Sequence, residues 1–335
     1  MLRDMMPLFD LYQPDSLDNA LDLADRLGPD GWLVAGGQDS WDWLKNRTKR
    51  TRAVIDLSAI AELKGVRETD GGIQIGALTT LSEVENDPLV RERYGLLATA
   101  AGRVASPQIR NAGTLGGNLC QDTRCWYYRG GVDCYRAGGN MCYADTPEGQ
   151  NREHAVFGAS RCVAVTPSDT ANALTALDAS MVVRSKGGER VVPAAEFFIG
   201  PDVDIQRMTV IEPGEILVAV RIPGTWAKSA FYFEKVADRA AWDFALLSLS
   251  VALKLEGETI RDARVVCGAA ACVPHRLGAV ERIIVGSARD DALLERAAAA
   301  AVEGARPLNF NGFKIPLLSN LVRRAIKGAS GGVAT

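Results

Sequence analysis

Four cysteines, Cys125, Cys134, Cys142 and Cys162, fall within 38 residues at the spacing C-x8-C-x7-C-x19-C. The block begins seven residues after the glycine-rich segment Thr114-Leu115-Gly116-Gly117-Asn118. Thiolates and a loop able to cradle a phosphate, in one stretch, point to two redox centres side by side. No two of the four stand in the tight C-x2–4-C knuckle that zinc sites use. Disulfides need an oxidising compartment, and the odd total of seven cysteines rules out full internal pairing. Iron–sulfur clusters take four thiolates and tolerate irregular spacing, because the loops between ligands wrap the cluster. The bland alternative is a set of scattered buried cysteines, which is the reading for Cys267 and Cys272 in their apolar context. Cys120 follows Asn118 and Leu119 directly, where the glycine segment still pins the chain, and is left outside the ligand set.

Composition narrows the classes. A chain of 335 residues has room for two or three domains. Its apolar fraction of 47% and charged fraction of 24% are those of a globular protein. The net charge of −3 argues against nucleic acid as a main partner. The basic run at residues 45–52 is short and broken, and reads as a solvated loop or a partner surface. No apolar run reaches the roughly 18–20 residues a membrane span needs. The opening Met1-Leu2-Arg3-Asp4 places an acid where the apolar region of a secretory leader would start. With two histidines, His154 and His275, a multi-histidine metal site or a His-based triad is nearly excluded.

Periodicity gives the coarse layout. Residues 16–27 form an amphipathic helix with Ser16 or Asp18 near its N-cap. Short strands follow at 32–35, 53–57 and 72–77. Residues 91–105 read as a helix and 106–114 as a loop. From 119 to about 160 no periodicity holds, as expected of a segment organised by a bound centre. A strand at 163–165, a helix at 171–177, a hairpin at 180–193 and a strand at 214–223 come next. The remainder reads as a strand (230–236), a helix or long buried segment (243–254), a strand (263–268) and helices at 276–284, 291–303 and 314–326.

Two Gly-Gly pairs, Gly36-Gly37 and Gly116-Gly117, each follow a strand or turn. Successive glycines let backbone N–H groups turn inward into an anion nest. Ser40 and Thr114 could add hydroxyl donors. Two such loops converging suit a dinucleotide pyrophosphate, and neither matches G-x-G-x-x-G or a Walker motif.

The segments Leu33-Val34-Ala35-Gly36-Gly37-Gln38-Asp39-Ser40, Thr114 to Leu119, Pro167-Ser168-Asp169 and Glu215-Ile216-Leu217 resemble the FAD-binding medium subunit of the molybdenum hydroxylases, the xanthine dehydrogenase and carbon monoxide dehydrogenase family. The resemblance extends through Phe233-Glu234-Lys235 and Arg239-Ala240-Ala241-Trp242-Asp243-Phe244. Gln38 stands where many family members carry Thr or His. The stretch from Cys125 to Cys162 is similar to the subset with an extra [4Fe–4S] cluster, which includes 4-hydroxybenzoyl-CoA reductase and bacterial periplasmic aldehyde oxidoreductase.

The resemblance implies an α+β chain: a two-subdomain FAD-binding fold of the PCMH type, followed by a small α+β C-terminal domain. The boundaries expected are 1–223 for the first (subdomains about 1–58 and 59–223, with the cluster loop at 119–162), 224–328 for the second and a flexible tail at 329–335. It places FAD contacts at Leu33, Val34, Ala35, Gly36, Gly37, Gln38, Asp39, Ser40, Thr114, Leu115, Gly116, Gly117, Asn118, Asp169, Leu217 and Lys235. Asp169 has a bland alternative as a helix cap, Leu217 as a strand core residue and Lys235 as a surface lysine. The cluster ligands are Cys125, Cys134, Cys142 and Cys162, and no residue is assigned a catalytic role.

The function implied is electron transfer within a complex. A large molybdopterin-binding subunit would act on an aldehyde, aromatic or acyl-CoA substrate, a small subunit would hold two [2Fe–2S] clusters, and an external carrier such as ferredoxin would exchange electrons. The compartment expected is cytoplasmic, or periplasmic if a signal-bearing partner exports the complex. A self-sufficient FAD oxidase and a non-catalytic iron–sulfur sensor are the rivals. The first lacks an evident base, and absence of FAD would favour the second.

Overall fold

The computed structural model describes residues 6–331, so the reading of the first five residues as no leader, and of the last four as flexible tail, lies outside it. Three sheets follow one another along the chain. In the first, β1 (Asp10–Tyr12), β2 (Gly31–Val34) and β3 (Ala53–Asp56) run parallel in the order β1-β3-β2. Parallel neighbours need crossovers, and the helix Leu17–Leu27 supplies one. The Ser16 side chain caps it by accepting the Asn19 N–H at 3.3 Å. Its apolar face, Leu17, Ala20, Leu21 and Ala24, packs with Ile55 of β3.

The second sheet is antiparallel throughout: β4 (Val66–Thr69), β5 (Gly72–Gly76), β6 (Ser180–Ser185), β7 (Gly188–Pro193) and β8 (Ile216–Pro223), in the order β4-β5-β8-β6-β7. The helices Leu81–Asn86, Gly95–Gly102 and Asp169–Ala176 share one apolar core with it. Thr80 and Glu83 make a reciprocal capping box at the start of the first. The helix expected at 91–105 is two, Pro88–Arg93 and Gly95–Gly102, because Tyr94 leaves helical geometry (φ −134°, ψ 47°) to reach the Pro223 carbonyl with its hydroxyl at 3.3 Å. The segment expected to be loop at 106–114 contains the helix Pro107–Ala112, capped by Ser106 with proline at its first position.

The third sheet has β9 (Ala230–Val236), β10 (Leu247–Glu256), β11 (Thr259–Gly268) and β12 (His275–Arg276) in the order β12-β11-β10-β9. β10 is a strand where a helix or long buried segment was expected. Leu247, Leu249, Val251 and Leu253 pack toward the helices Gly278–Ile284, Asp291–Ala300 and Lys314–Gly328. On its other face Ser248 accepts from Asn172 (3.4 Å) and Ala252 joins the core around the helix Asp169–Ala176. Both faces are therefore buried, which removes the polar alternation that marks a strand.

Residues 163–165, expected to be a strand, belong to no sheet. They are held by bonds from Ala155 N–H to the Val163 carbonyl (2.8 Å) and from Thr166 N–H to the Ala271 carbonyl (3.1 Å). The tail expected from 329 onward is pinned at its start, because Ser330 exchanges backbone hydrogen bonds with Phe231. Among the described residues no helix is long and apolar enough to cross a membrane.

Candidate functional site

A cleft of about 620 Å³ opens where the three sheets meet. Its volume lies within the roughly 300–1,000 Å³ of ligand sites. Fourteen of the sixteen residues expected to touch FAD line it, and only Val34 and Leu115 turn away into the core.

The two glycine segments do different work. Among the described residues the N–H groups of Gly36, Gly37, Gln38 and Asp39 have no hydrogen-bond partner. They lead into the helix Ser40–Lys45, so unpaired donors gather at one wall of the cleft. Gly37 has a φ of +73°, and a side chain there would run into the Trp41 indole. A methyl on Gly36 would collide with the Ala112 carbonyl.

The second segment is a helical turn, Leu115–Leu119, capped by Thr114. Its donors are spent: Leu115 N–H bonds the Thr79 carbonyl (2.9 Å), Gly116 N–H the Ala77 carbonyl (2.8 Å) and Gly117 N–H the Thr114 hydroxyl (3.0 Å). The expectation of a second anion nest is corrected accordingly. Gly116 lets the turn lie against Ala77, where an added Cβ would meet two atoms at 2.9 Å. Gly117 presents bare backbone to the cleft. Asn118 accepts from Ser168 (2.7 Å) and Thr170 (2.6 Å) through its side-chain oxygen, joining this wall to the next.

Asp169 and Lys235 form a buried ion pair (2.5 Å) on the cleft wall, each side chain 5% exposed. Lys235 also donates to the Arg103 carbonyl (3.1 Å). The capping role open to Asp169 belongs to Ser168, which accepts from Ala171 N–H at 3.1 Å. Burial raises the pKa of the Asp169 carboxyl, against the pull of the Lys235 ammonium. Leu217 lies on the wall with 7% exposure.

Sequence reasoning missed a lip of the cleft contributed by the last domain. Trp242 is mostly exposed, has a φ of +53° and donates its N–H to the Ala105 carbonyl (2.8 Å), with Ala105 itself at +44°. Two non-glycine residues in the left-handed region, bonded to each other, mark a locally strained rim. Arg124 lies over the Phe244 ring at 4.8 Å. The only sequence signal for this lip was the family likeness of residues 239–244.

Asp39 joins the cleft to the cysteine loop. Its carboxylate accepts from Trp43 Nε1 (3.1 Å), the Asp122 N–H (3.2 Å), Arg124 (3.2 Å) and Arg129. The basic run noted in the sequence enters here, with Thr48 donating to the Arg129 carbonyl (3.1 Å) and Lys49 pairing with Asp122 (2.5 Å). Burial alone would raise the Asp122 carboxyl, but Lys49 and Arg136 hold it below its ordinary range.

The loop itself is built of single turns, Trp126–Arg129, Tyr135–Ala137 and Tyr143–Asp145. Cys125, Cys142 and Cys162 lie close enough to feel one another's charge. Cys134 sits with Trp43 and Tyr128 in a small cluster against which Cys125 packs. Against burial, which raises both, the backbone N–H groups of Tyr128 and Tyr127 pull the Cys125 thiol down, and those of Val163, Asp145 and Ala144 the Cys142 thiol. Burial pushes the Cys125 thiol up to about 11.

Among the described residues no three Cys, His, Asp or Glu side chains are set as a metal-binding group. The donor types present, free cysteine thiols along one loop, are those of thiolate ligation. Cys120 opens onto the cleft. Cys267 is core, but Cys272 is not simply so: it packs against Cys162, with its sulfur 2.7 Å from the Ala164 carbonyl. The Cys272 thiol beside it lowers the Cys162 thiol to about 6, helped by the Ala164 N–H and Arg136 and opposed by burial. His154, given no role by the sequence, lies 3.3 Å from the Cys125 sulfur through Nε2. Burial, with Lys314 adding to it, lowers its imidazole to about 4.

Residues 7–225 match the family described as the FAD binding domain in molybdopterin dehydrogenase. Residues 232–329 match the CO dehydrogenase flavoprotein C-terminal domain. The chain is 35% identical over 258 residues to the aldehyde oxidoreductase FAD-binding subunit PaoB of Escherichia coli, covering 76% of this chain and 79% of that one. It is 29% identical over 329 residues to the carbon monoxide dehydrogenase medium chain of Hydrogenophaga pseudoflava, covering 96% and 97%. Among solved structures, the H. pseudoflava carbon monoxide dehydrogenase lacking the Mo-pyranopterin moiety superposes with a TM-score of 0.77 at 27% identity, over 97% of this chain and 98% of that one. Quinoline 2-oxidoreductase from Pseudomonas putida 86 gives a TM-score of 0.76 at 26% identity, over 97% and 98%.

Proposed function

The chain belongs to the FAD-binding medium subunits of the molybdenum hydroxylases, and on that premise we propose that it carries electrons between FAD and a [4Fe–4S] cluster inside a three-subunit oxidoreductase. The observation that carries the proposal is the joint at Asp39, where the wall of unpaired N–H groups is tied to the cysteine loop. Two cofactor sites built on one carboxylate are held at a fixed separation.

The N–H groups of Gly36, Gly37, Gln38 and Asp39 would receive the pyrophosphate. Gly117 would let it approach the backbone. Asp169, Leu217 and Lys235 would bound the ring end, with Lys235 held in place by Asp169. Cys125, Cys134, Cys142 and Cys162 would hold the cluster, the N–H groups of Tyr127 and Tyr128 steadying the first sulfur. When bound, FAD supplies the conversion between two-electron and one-electron traffic, and the protein supplies position and potential.

A large molybdopterin subunit would perform the substrate chemistry, and a small subunit with two [2Fe–2S] clusters would pass electrons to this chain. Ferredoxin or a similar carrier would complete the circuit. The 35% identity to a subunit named for aldehyde oxidation favours an aldehyde over an aromatic or acyl-CoA substrate.

The test is cofactor analysis of the anaerobically purified chain. One FAD and about four iron atoms are expected for a single four-thiolate cluster. Serine at Cys125, Cys134, Cys142 or Cys162 should lower iron and alter the EPR signal, while Cys120→Ser should not. Zinc in place of iron, or full iron in every variant, defeats the cluster assignment.

A further inference from the structure

Behind Cys125 lies a small cavity of about 30 Å³. Cys125 and His154 line it together with Ser168, Asp169, Phe244 and Ser248. Asp169 and Phe244 also line the large cleft, so this cavity is the partition between the two candidate cofactor sites. His154 is 5% exposed. Its Nε2 lies 3.3 Å from the Cys125 sulfur, and its buried Nδ1 has no partner among the described residues.

The backbone that carries the ring is fixed. The His154 carbonyl is held by Asn311 Nδ2 (3.0 Å) and Lys314 Nζ (2.8 Å), both from the last domain. A buried ring nitrogen left unpaired is costly. A cavity of this size takes one water where at least two polar groups can bond it, and Ser168, Asp169 and Ser248 line the same space as His154.

We propose that His154 is the positioning residue for Cys125: its Nε2–H donates to the Cys125 sulfur, and one buried water on Nδ1 fixes that tautomer and ties the ring to the Asp169 wall of the cleft. The chemistry at the sulfur follows directly. A donor on a ligand sulfur favours the more negative, reduced state of the centre it binds. This consequence rests on the reading of Cys125 as a cluster ligand; the hydrogen bond itself does not.

Two variants of the full chain test it. His154→Gln keeps an N–H near the position of Nε2, and His154→Leu fills the volume without one. In an EPR-monitored redox titration His154→Leu should shift the reduced-to-oxidised ratio at a given potential about tenfold toward oxidised, which for one electron is about 59 mV. His154→Gln should stay near wild type, and iron content should hold in both.

In iron-free protein, alkylation of Cys125 by iodoacetamide, read by peptide mass spectrometry, should slow several-fold in His154→Leu, because a donor on the sulfur stabilises the thiolate that reacts, and not in His154→Gln. A crystal structure of the chain should place a water on Nδ1. Wild-type potential and alkylation in His154→Leu would overturn the assignment, as would His154→Gln behaving like His154→Leu in both. If the wild-type chain carries no iron, the cluster reading falls by itself, and the alkylation comparison still decides the role of His154.

Discussion

Gly117→Ala should separate folding from flavin binding. Gly117 sits inside the turn Leu115–Leu119 and faces the cleft. A Cβ built there meets a single atom within 4 Å, the Thr114 hydroxyl at 3.0 Å. That contact is tight, yet a hydroxyl can give by a few tenths of an ångström. Alanine in place of glycine in a helical segment gains up to about 1 kcal/mol, which offsets the crowding. The apo-protein should therefore melt within a few degrees of wild type.

The methyl then projects into the space a pyrophosphate would use. Overpacking of a close-fitting site costs about 1–3 kcal/mol, or about 5- to 140-fold in affinity. Gly36→Ala is the contrast, because its methyl meets the Ala112 carbonyl, a backbone atom that cannot move alone. It should lose stability and flavin together. The assay is FAD titration of deflavinated protein by fluorescence quenching, beside a thermal melt of each apo-variant. A folded Gly117→Ala chain with wild-type FAD affinity would refute the placement of the ligand against this turn.

Lys235→Met should destabilise the chain by about 3–5 kcal/mol, since it strands a buried carboxylate on Asp169; urea melts should show part of that loss recovered in the Asp169→Asn/Lys235→Met pair. Asp39→Asn removes the charge shared by Arg124 and Arg129, so hydrogen exchange across residues 119–162 should quicken and FAD affinity should fall several-fold; unchanged exchange would remove Asp39 as the joint. Lys314 is buried and donates to the carbonyls of Glu153, His154 and Ala269. Burial lowers its ammonium to about 7 from an ordinary 10.5. The unfolded chain therefore holds a proton that the folded chain releases, and stability should rise as pH goes from about 7 toward 10. Urea melts at pH 7 and 9 should show that slope in wild type and a flatter one in Lys314→Met; equal slopes would contradict it.

What could be read in the sequence was local. Ser16 announces its helix, and β6 and β7 announce their hairpin, because caps and alternation are properties of neighbouring residues. β10 hid because Ser248 and Ser250 are as buried as their neighbours Leu247 and Leu249. The cleft shows the same limit at finer grain. The two Gly-Gly pairs mark backbone that other groups approach closely, Ala112 at Gly36 and Ala77 at Gly116, and the residues around them share one cavity. Which pair keeps its donors free depends on partners elsewhere: the carbonyls of Ala77 and Thr79 consume those of the second, and nothing consumes those of the first among the described residues. A one-residue offset likewise decides Asp169. Ser168 takes the cap, so the Asp169 carboxylate is left to meet Lys235 from another sheet. The same logic explains Cys272, which reads as core along the chain yet lies against Cys162 because the turn after β11 folds over residues 163–166. A Cys272→Ser variant is thus no neutral control for iron binding. It perturbs the surroundings of one candidate ligand, whereas Cys120, close to the block in sequence, opens onto the cleft and remains the cleaner comparison.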